Sequence, residues 1–277
     1  MAANNLATSN AMASNVTQLA TGKAGDHAIV ARELTKRFGS VTALDRVSLD
    51  VASGEFVSFL GPSGCGKSTF LRCMAGLEHA TSGELLLASK PVDGPPDDLG
   101  VAFQRDALLD WFTILDNVLL PADFGGKPKR DYEPRARELL KSVGLGAFMD
   151  AYPSMLSGGM RQRAAICRSL LMTPRFLLMD EPFGALDALT RDQLNVDLHN
   201  MWMKERMTTV FVTHSISEAV FLSTRVVVFS PRPGRIVENV VLDLPAERHL
   251  DLRESPEFLR YSRHFRQVFE RLGLIHD

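Results

Sequence analysis

Residues 1 to 27 are rich in Ala, Asn, Ser and Thr and show no apolar period, so they read as a disordered leader. From Ala28 the texture changes. Val47, Leu49 and Val51 alternate with Ser48 and Asp50, the two-residue period of a half-buried strand. Residues 55 to 60 read as a second strand that runs into a Gly-rich turn, and a helix is expected from about 67 to 75. Two short strands follow near 84 to 87 and 99 to 103. The middle of the chain has a helical pattern. Residues 131 to 143 carry mixed charges around Ala136, Leu139 and Leu140, and 158 to 171 place Met160, Ala164, Cys167 and Leu171 on one face. Strand texture returns at 176 to 179, 209 to 212 and 225 to 229, with a helix expected between neighbours. Strands alternating with helices argue for a mostly parallel sheet covered on both faces, with the helical middle as an inserted subdomain.

Composition mainly excludes. A chain of 277 residues suits one large or two small globular units, and 45% hydrophobic residues with 20 Gly and 14 Pro rule out collagen-like, disulfide-stapled or wholly disordered classes. With 31 Lys+Arg against 33 Asp+Glu, no global charge draws the chain to nucleic acid. No apolar run approaches the ~20 residues that span a bilayer, and no basic-then-apolar leader marks secretion. Cys65, Cys73 and Cys167 lack CxxC spacing and leave one thiol over in any pairing scheme, which fits a reducing cytoplasm.

Chemistry enters at Gly61-Pro62-Ser63-Gly64-Cys65-Gly66-Lys67-Ser68, a match to GxxxxGK[ST] between a strand and a helix. Triphosphate carries several negative charges, and amides of a Gly-rich loop converge on them without interference from Cβ atoms. The following helix adds the positive end of its dipole. Lys67 is placed to reach the β- and γ-phosphates, and the Ser68 hydroxyl to ligate Mg2+. Residues 176 to 181 form a buried strand ending in Asp180 and Glu181. Ligands gather at the carboxyl ends of strands in doubly wound sheets, so Asp180 is expected beside that Mg2+ and Glu181 beside the attacking water. A Gly-rich turn with an incidental lysine, or a solvated strand end, would explain either element alone. Together they favour phosphate chemistry.

Leu156-Ser157-Gly158-Gly159-Met160, followed by Arg161-Gln162-Arg163, resembles the signature of ABC transporter ATP-binding subunits, with Met160 where Gln is frequent. The bland reading of Ser157-Gly-Gly is a helix N-cap. The functional one is a second anion-binding helix start, with Ser157 and the amides of Gly158 and Gly159 facing outward. Other family elements fall in the same order: Gln104 matches the Q-loop glutamine, Gly184 to Asp187 the D-loop, and His214 the switch histidine. Phe38 matches the aromatic that stacks on adenine, a position more often Tyr. The resemblance spans about 28 to 232 and implies an α/β, RecA-like P-loop NTPase. Its core, 28 to 104 and 166 to 232, would hold the mostly parallel sheet and an antiparallel β edge. A helical subdomain would fill 105 to 165, and 233 to 277 would be a C-terminal extension.

The same resemblance implies ATP and Mg2+ as cofactors and a head-to-tail homodimer. Each chain would hold ATP with Phe38 and the loop from Gly61 to Thr69, which includes Cys65 and Gly66, while Ser157, Gly158, Gly159 and Asp187 close over the partner's nucleotide. Glu181 would be the general base, with His214 and Lys67 stabilising transition-state charge. Ser68, Gln104 and Asp180 would manage Mg2+ and water. Without a membrane span, work would pass to two transmembrane permease subunits, fed by a periplasmic or extracellular solute-binding protein. The chain would then sit peripherally on the cytoplasmic face of the cell membrane, with no nucleic acid partner. Segments 103 to 111, 181 to 187, 218 to 221 and 230 to 235 resemble the nitrate/sulfonate/taurine branch of importers, though no segment names a solute.

Three features remain less committed. Leu108-Leu109-Asp110-Trp111-Phe112 reads as a partner-facing lip, the alternative being burial against the helical insert. Phe258, Tyr261, Phe265, Val268 and Leu272 form the apolar stripe of a helix whose arginines include Arg260, Arg263, Arg266 and Arg271. Packing on its own core or on the partner chain is expected before a membrane surface. Cys65 reads first as a small loop filler and second as a thiol exposed to reagents. Rival functions are a soluble ABC-type ATPase uncoupled from transport and a non-enzymatic scaffold. The first usually shows two cassettes, a coiled-coil insertion or a basic surface, and the second is opposed by intact Lys67, Asp180, Glu181 and His214. No NKxD motif supports a GTPase.

Overall fold

The computed structural model describes residues 27–275 apart from position 185. The expected leader lies outside the described residues except for His27, which opens the first strand. Strands β1 (His27–Phe38) and β2 (Val41–Ala52) pair antiparallel, and β4 (Ser82–Leu87) and β5 (Lys90–Pro91) extend them into a four-stranded sheet of order β2-β1-β4-β5. The larger sheet has six strands in the order β10-β9-β3-β8-β7-β6. Its parallel part comprises β3 (Phe56–Leu60), β6 (Leu99–Ala102), β7 (Phe176–Asp180), β8 (Thr208–Thr213) and β9 (Arg225–Phe229). At one edge β10 (Ile236–Val241) runs antiparallel to β9.

Every residue of β3, β7 and β8 is buried, as expected for parallel strands covered on both faces. Alternation along these strands separates two cores. Phe56, Leu60, Leu177, Met179 and Phe211 face the helical layer. Val57, Phe59, Leu178, Val210 and Val212 face α1 (Lys67–Met74) and the four-stranded sheet. Aromatic contacts lock both sides: Phe59 stacks on Phe70 of α1 with centroids 5.4 Å apart, and Phe56 meets Trp202 edge-on at 5.7 Å. Trp202 lies on α5 (Ala188–Glu205), which with α6 (Ile216–Leu222) supplies the crossovers expected between β7, β8 and β9.

The helical middle consists of α2 (Ile114–Phe124), α3 (Lys129–Ser142) and α4 (Gly158–Leu170). Helix α2 was not among the predicted elements, although its start is legible: the Thr113 hydroxyl oxygen accepts the Asp116 N–H at 3.1 Å, a cap of the T-x-x-D kind. Helix α4 passes unbroken through position 165, carrying the chain from the inserted segment back toward the sheet. Beyond residue 233 the chain first adds β10, then α7 (Pro256–Arg271) buries Phe258, Phe265 and Val268 in the helix-side core. The apolar stripe of the tail therefore packs on its own chain, where the Tyr261 hydroxyl oxygen accepts the Asp243 N–H at 2.9 Å.

Candidate functional site

The loop between β3 and α1 is shaped by close approach. A Cβ at Gly61 would lie 2.9 Å from the Phe229 carbonyl oxygen, and one at Gly66, where φ is +111°, would lie 2.6 Å from that of Ala43. Only glycine fits there, because the left-handed backbone and the neighbouring carbonyl both exclude a side chain. Lys67 is buried and its ammonium donates to the Gly61 and Pro62 carbonyls at 2.7 and 2.8 Å. The loop is thereby curled around a positive charge. Cys65 is also buried, at 1% exposure, so it acts as the loop filler and not as a thiol open to reagents. Phe38 closes β1 half-exposed, with the Lys36 ammonium 4.7 Å from its ring centroid.

The Ser68 hydroxyl donates to Asp180 Oδ1 at 2.7 Å, joining the first turn of α1 to the end of β7. Burial pushes the Asp180 carboxyl above the usual carboxylate range, opposed by the Ser68 hydrogen bond. One residue on, Glu181 holds a left-handed φ of +47°, and its N–H donates to the Val212 carbonyl at 3.0 Å. This conformation turns its side chain to the end of β8, where Glu181 Oε2 lies 3.1 Å from His214 Nδ1. A Cβ on Gly184 would stand 3.5 Å from Gln104 Nε2 and 4.0 Å from Glu181 Oε2, so the glutamine and the carboxylate converge on that glycine. Gln104, Glu181 and His214 thus come together although they lie far apart in sequence.

The signature segment sits elsewhere. Ser157 caps α4, accepting the Met160 N–H at 3.3 Å, and Ser157 and Gly158 are exposed. Gly159 is buried: a Cβ there would lie 2.4 Å from Thr190 Cγ2 of α5, so its missing side chain serves helix packing. Among the described residues, no hydrogen bond or ion pair joins Ser157, Gly158 or Gly159 to the phosphate loop of the same chain. Asp187 is exposed and caps α5, accepting the Thr190 N–H at 3.0 Å, and its carboxyl is held below the usual range by Thr190, through the side chain first and the N–H second.

Several residues to which the sequence reading gave no site role also shape this site. Arg232, from the turn after β9, donates through Nε to the Gly64 carbonyl at 3.2 Å, and a Cβ on Gly234 would lie 2.2 Å from the Cys65 carbonyl oxygen. The segment after Gln104 is tied to α4. Arg161 Nε donates to Asp106 Oδ2 at 2.9 Å, and Arg168 donates to the Asp106 and Ala107 carbonyls at 2.6 and 2.7 Å. Buried Asn117 donates to the Leu109, Phe112 and Thr113 carbonyls and accepts the Leu109 N–H. Trp111 stands 70% exposed on this segment, while Phe112 is half-buried. Among the described residues no helix is long and apolar enough to cross a membrane, and no group of three His, Cys, Asp or Glu gathers to hold a metal.

Glycine loop, hydroxyl and carboxylate meet at the carboxyl ends of parallel strands, where doubly wound sheets take their ligands, and this makes the molecule a P-loop nucleoside triphosphatase. A family model described as ABC transporter matches residues 44–184. An uncharacterised ABC transporter ATP-binding protein of Methanocaldococcus jannaschii is 51% identical over 232 residues, covering 82% of this chain and 86% of that protein. The taurine import ATP-binding protein of Rhizobium johnstonii is 46% identical over 250 residues, 88% of this chain and 94% of that one. A dimeric post-hydrolysis ATP-binding cassette bound to ADP and Pi matches with a TM-score of 0.69 at 32% identity, covering 78% of this chain and 100% of that chain. The chain belongs to the ABC transporter family of ATP-binding proteins and is an ATPase.

Proposed function

We propose that this chain is the ATP-hydrolysing subunit of an importer for a small anionic solute of the nitrate, sulfonate or taurine kind. Two copies close head to tail on ATP and drive two separate permease subunits, supplied by a solute-binding protein, from the cytoplasmic face of the membrane. The observation that carries the hydrolytic reading is the Glu181–His214 contact of 3.1 Å, one residue beyond the Ser68–Asp180 pair. Similarity to taurine import proteins favours the importer branch. The exposed Trp111 lip near the start of segment 105–165 supports a permease-docking groove there.

Loop amides and the Lys67 ammonium hold the β- and γ-phosphates, and Phe38 offers its exposed face to the adenine. The Ser68 hydroxyl and Asp180 carboxylate form an all-oxygen pair that suits Mg2+, a hard cation that keeps water and phosphate oxygens as its remaining ligands. Held there, Mg2+ would supply neutralisation of the charge that develops on the β- and γ-phosphates. Gln104 and Glu181 flank the attacking water, and the Glu181 carboxylate takes its proton as the oxygen bonds to the γ-phosphorus and the bond from that phosphorus to the ADP oxygen breaks, releasing ADP and phosphate. His214 keeps that carboxylate in place through Nδ1 and turns its other ring nitrogen to the γ-phosphate. Exposed Ser157 and Gly158 act on the γ-phosphate held by the partner chain, which accounts for their separation from the phosphate loop within one chain.

Light scattering of Glu181→Gln with ATP and Mg2+ tests the dimer. We expect a stable species of twice the protomer mass, and a strictly monomeric protein under those conditions would overturn the head-to-tail reading. For the solute, uptake of labelled taurine, alkanesulfonate and nitrate by cells carrying this chain with its permease would be compared with cells lacking it. Equal uptake of all three in both strains would remove the anionic-solute assignment.

A further inference from the structure

Outside the phosphate site, Glu218 is the only buried carboxylate among the described residues. A buried carboxylate is unfavourable unless partners compensate it, so its contacts are informative. Ser215 and Glu218 have the spacing of a capping box at the start of α6, and Ser215 does accept the Glu218 N–H at 3.3 Å. In a plain capping box the glutamate would turn back to the Ser215 N–H. Here the Thr213 hydroxyl oxygen accepts that N–H at 3.0 Å, and the Thr213 hydroxyl itself donates to Glu218 Oε2 at 2.5 Å. The carboxylate is released from capping and its other oxygen faces α5, with Oε1 3.6 Å from Arg191 Nε.

Arg191 is equally out of place by local rules. A cation in the first turn of a helix opposes the helix dipole, so an anion nearby is needed to hold it. Its Nη2 donates to the Leu186 carbonyl at 2.8 Å, in the turn that carries Asp187. That turn also lies against the signature helix, since a Cβ on Gly159 would be 3.8 Å from Leu186 Cδ2. At the other end of the chain of contacts, Thr213 immediately precedes His214, whose ring is more than half exposed and touches Glu181. Little besides its backbone holds the ring in position, and that backbone is tied by Thr213 and Ser215.

We infer that Glu218 and Arg191 are positioning residues that hold His214 against Glu181 and keep Leu186 and Asp187 in register with it. The pair thereby links a chain's own phosphate site to the segment that faces its partner's nucleotide. The inference rests on the roles proposed above for Glu181 and His214. It deepens them by assigning the side chains that couple the two.

Steady-state ATP hydrolysis by the full chain tests it. Glu218→Gln, which keeps the hydrogen bond to Thr213 but loses the charge, is expected to lower kcat at least tenfold, with KM for ATP within twofold and the melting temperature nearly unchanged. Arg191→Gln should do the same. The double variant should be no slower than the slower single one, because both substitutions break one link. Losses that multiply in the double variant, either single variant within twofold of the wild-type kcat, or a parallel change in KM and melting temperature would overturn the inference. Glu181→Gln serves as the control arm. If it is inactive while Glu218→Gln is active, only the positioning role fails; if Glu181→Gln itself turns over normally, the catalytic reading fails first.

Discussion

The carboxyl ends of β3, β7 and β8 and the segment that follows Gln104 both carry residues expected to act on nucleotide or partner, but different forces hold them. Asp180 and Glu181 lie at and just beyond the end of a wholly buried strand, and Lys67 is itself buried beside the equally buried β3, so many apolar contacts restrain these backbone positions. Burying a single large aliphatic side chain is worth about 1.5–3 kcal/mol. Segment 105–113 has no fully buried residue, and Leu108 alone packs against the core. The segment is held by Arg161 and Arg168 from α4 and by Asn117 from α2, polar tethers worth about 0.5–3 kcal/mol each. The difference separates precision from mobility. The reacting groups keep their geometry, whereas the lip can exchange tethers and move with a partner without unfolding the sheet.

Substitutions at each end would break or sharpen that contrast. The largest effect is expected for Glu181→Gln, which removes the base: phosphate release should fall by about 10²–10⁴-fold. Near-normal turnover would mean that the rigid end does not perform the proton transfer. Gly66→Ala places a Cβ against the Ala43 carbonyl at a φ of +111°, at a cost of at least about 1–3 kcal/mol. Denaturant titration and binding of a fluorescent ATP analogue should both weaken, and an unchanged midpoint would show the loop to be looser than its contacts imply.

At the tethered end the effects on stability should be small and those on coupling large. Arg161→Met breaks a partly exposed ion pair, so we expect a loss of about 1 kcal/mol or less with KM for ATP unchanged. Solute-stimulated ATPase of the assembled complex should nevertheless decline, because the loop and the signature helix no longer move together. Trp111→Ala should alter stability by less than about 0.5 kcal/mol, given its exposure, while reducing copurification with the permease. A marked drop in melting temperature would instead place the indole in the core.

The smallest effect concerns the thiols. Burial pushes Cys73 up to about 11 and Cys167 up to about 12 from an ordinary value of 9.0. Both are neutral in folded and unfolded chains at neutral pH, so they leave stability unchanged there. As pH rises past 9 the unfolded thiols ionise first, and stability should fall progressively toward pH 11–12. Cys73→Ala/Cys167→Ala should flatten this alkaline decline, measured by urea unfolding across pH. A slope unaffected by the double replacement would assign the decline to other groups.

Much of the chemistry was legible because it is local. Gly61 to Ser68 lie within one loop and the start of its helix, and Asp180 and Glu181 close and follow a strand whose apolar run announces burial. Helix α4 and strand β7 appeared almost at their observed limits for the same reason. Helix α2 was missed although Thr113 and Asp116 marked its start, since its apolar residues lack a clean single-face period. Arg232 on the Gly64 carbonyl and the Arg191–Glu218 pair left no trace in spacing, because their partners are distant in sequence or in another helix.

Residue order alone indicated the strands and helices around the phosphate loop, though not β1, β5, β10 or α2, and which side chains can bear phosphate, metal and proton chemistry, because backbone propensity and loop chemistry act over a few neighbouring positions. Folding in three dimensions decided which of those side chains meet. Glu181 reaches His214 only because β7 and β8 are paired in parallel, and Gly159 must lack a side chain only because α5 crosses α4 at that point. Such contacts depend on register and packing between distant segments, and no short-range pattern encodes them.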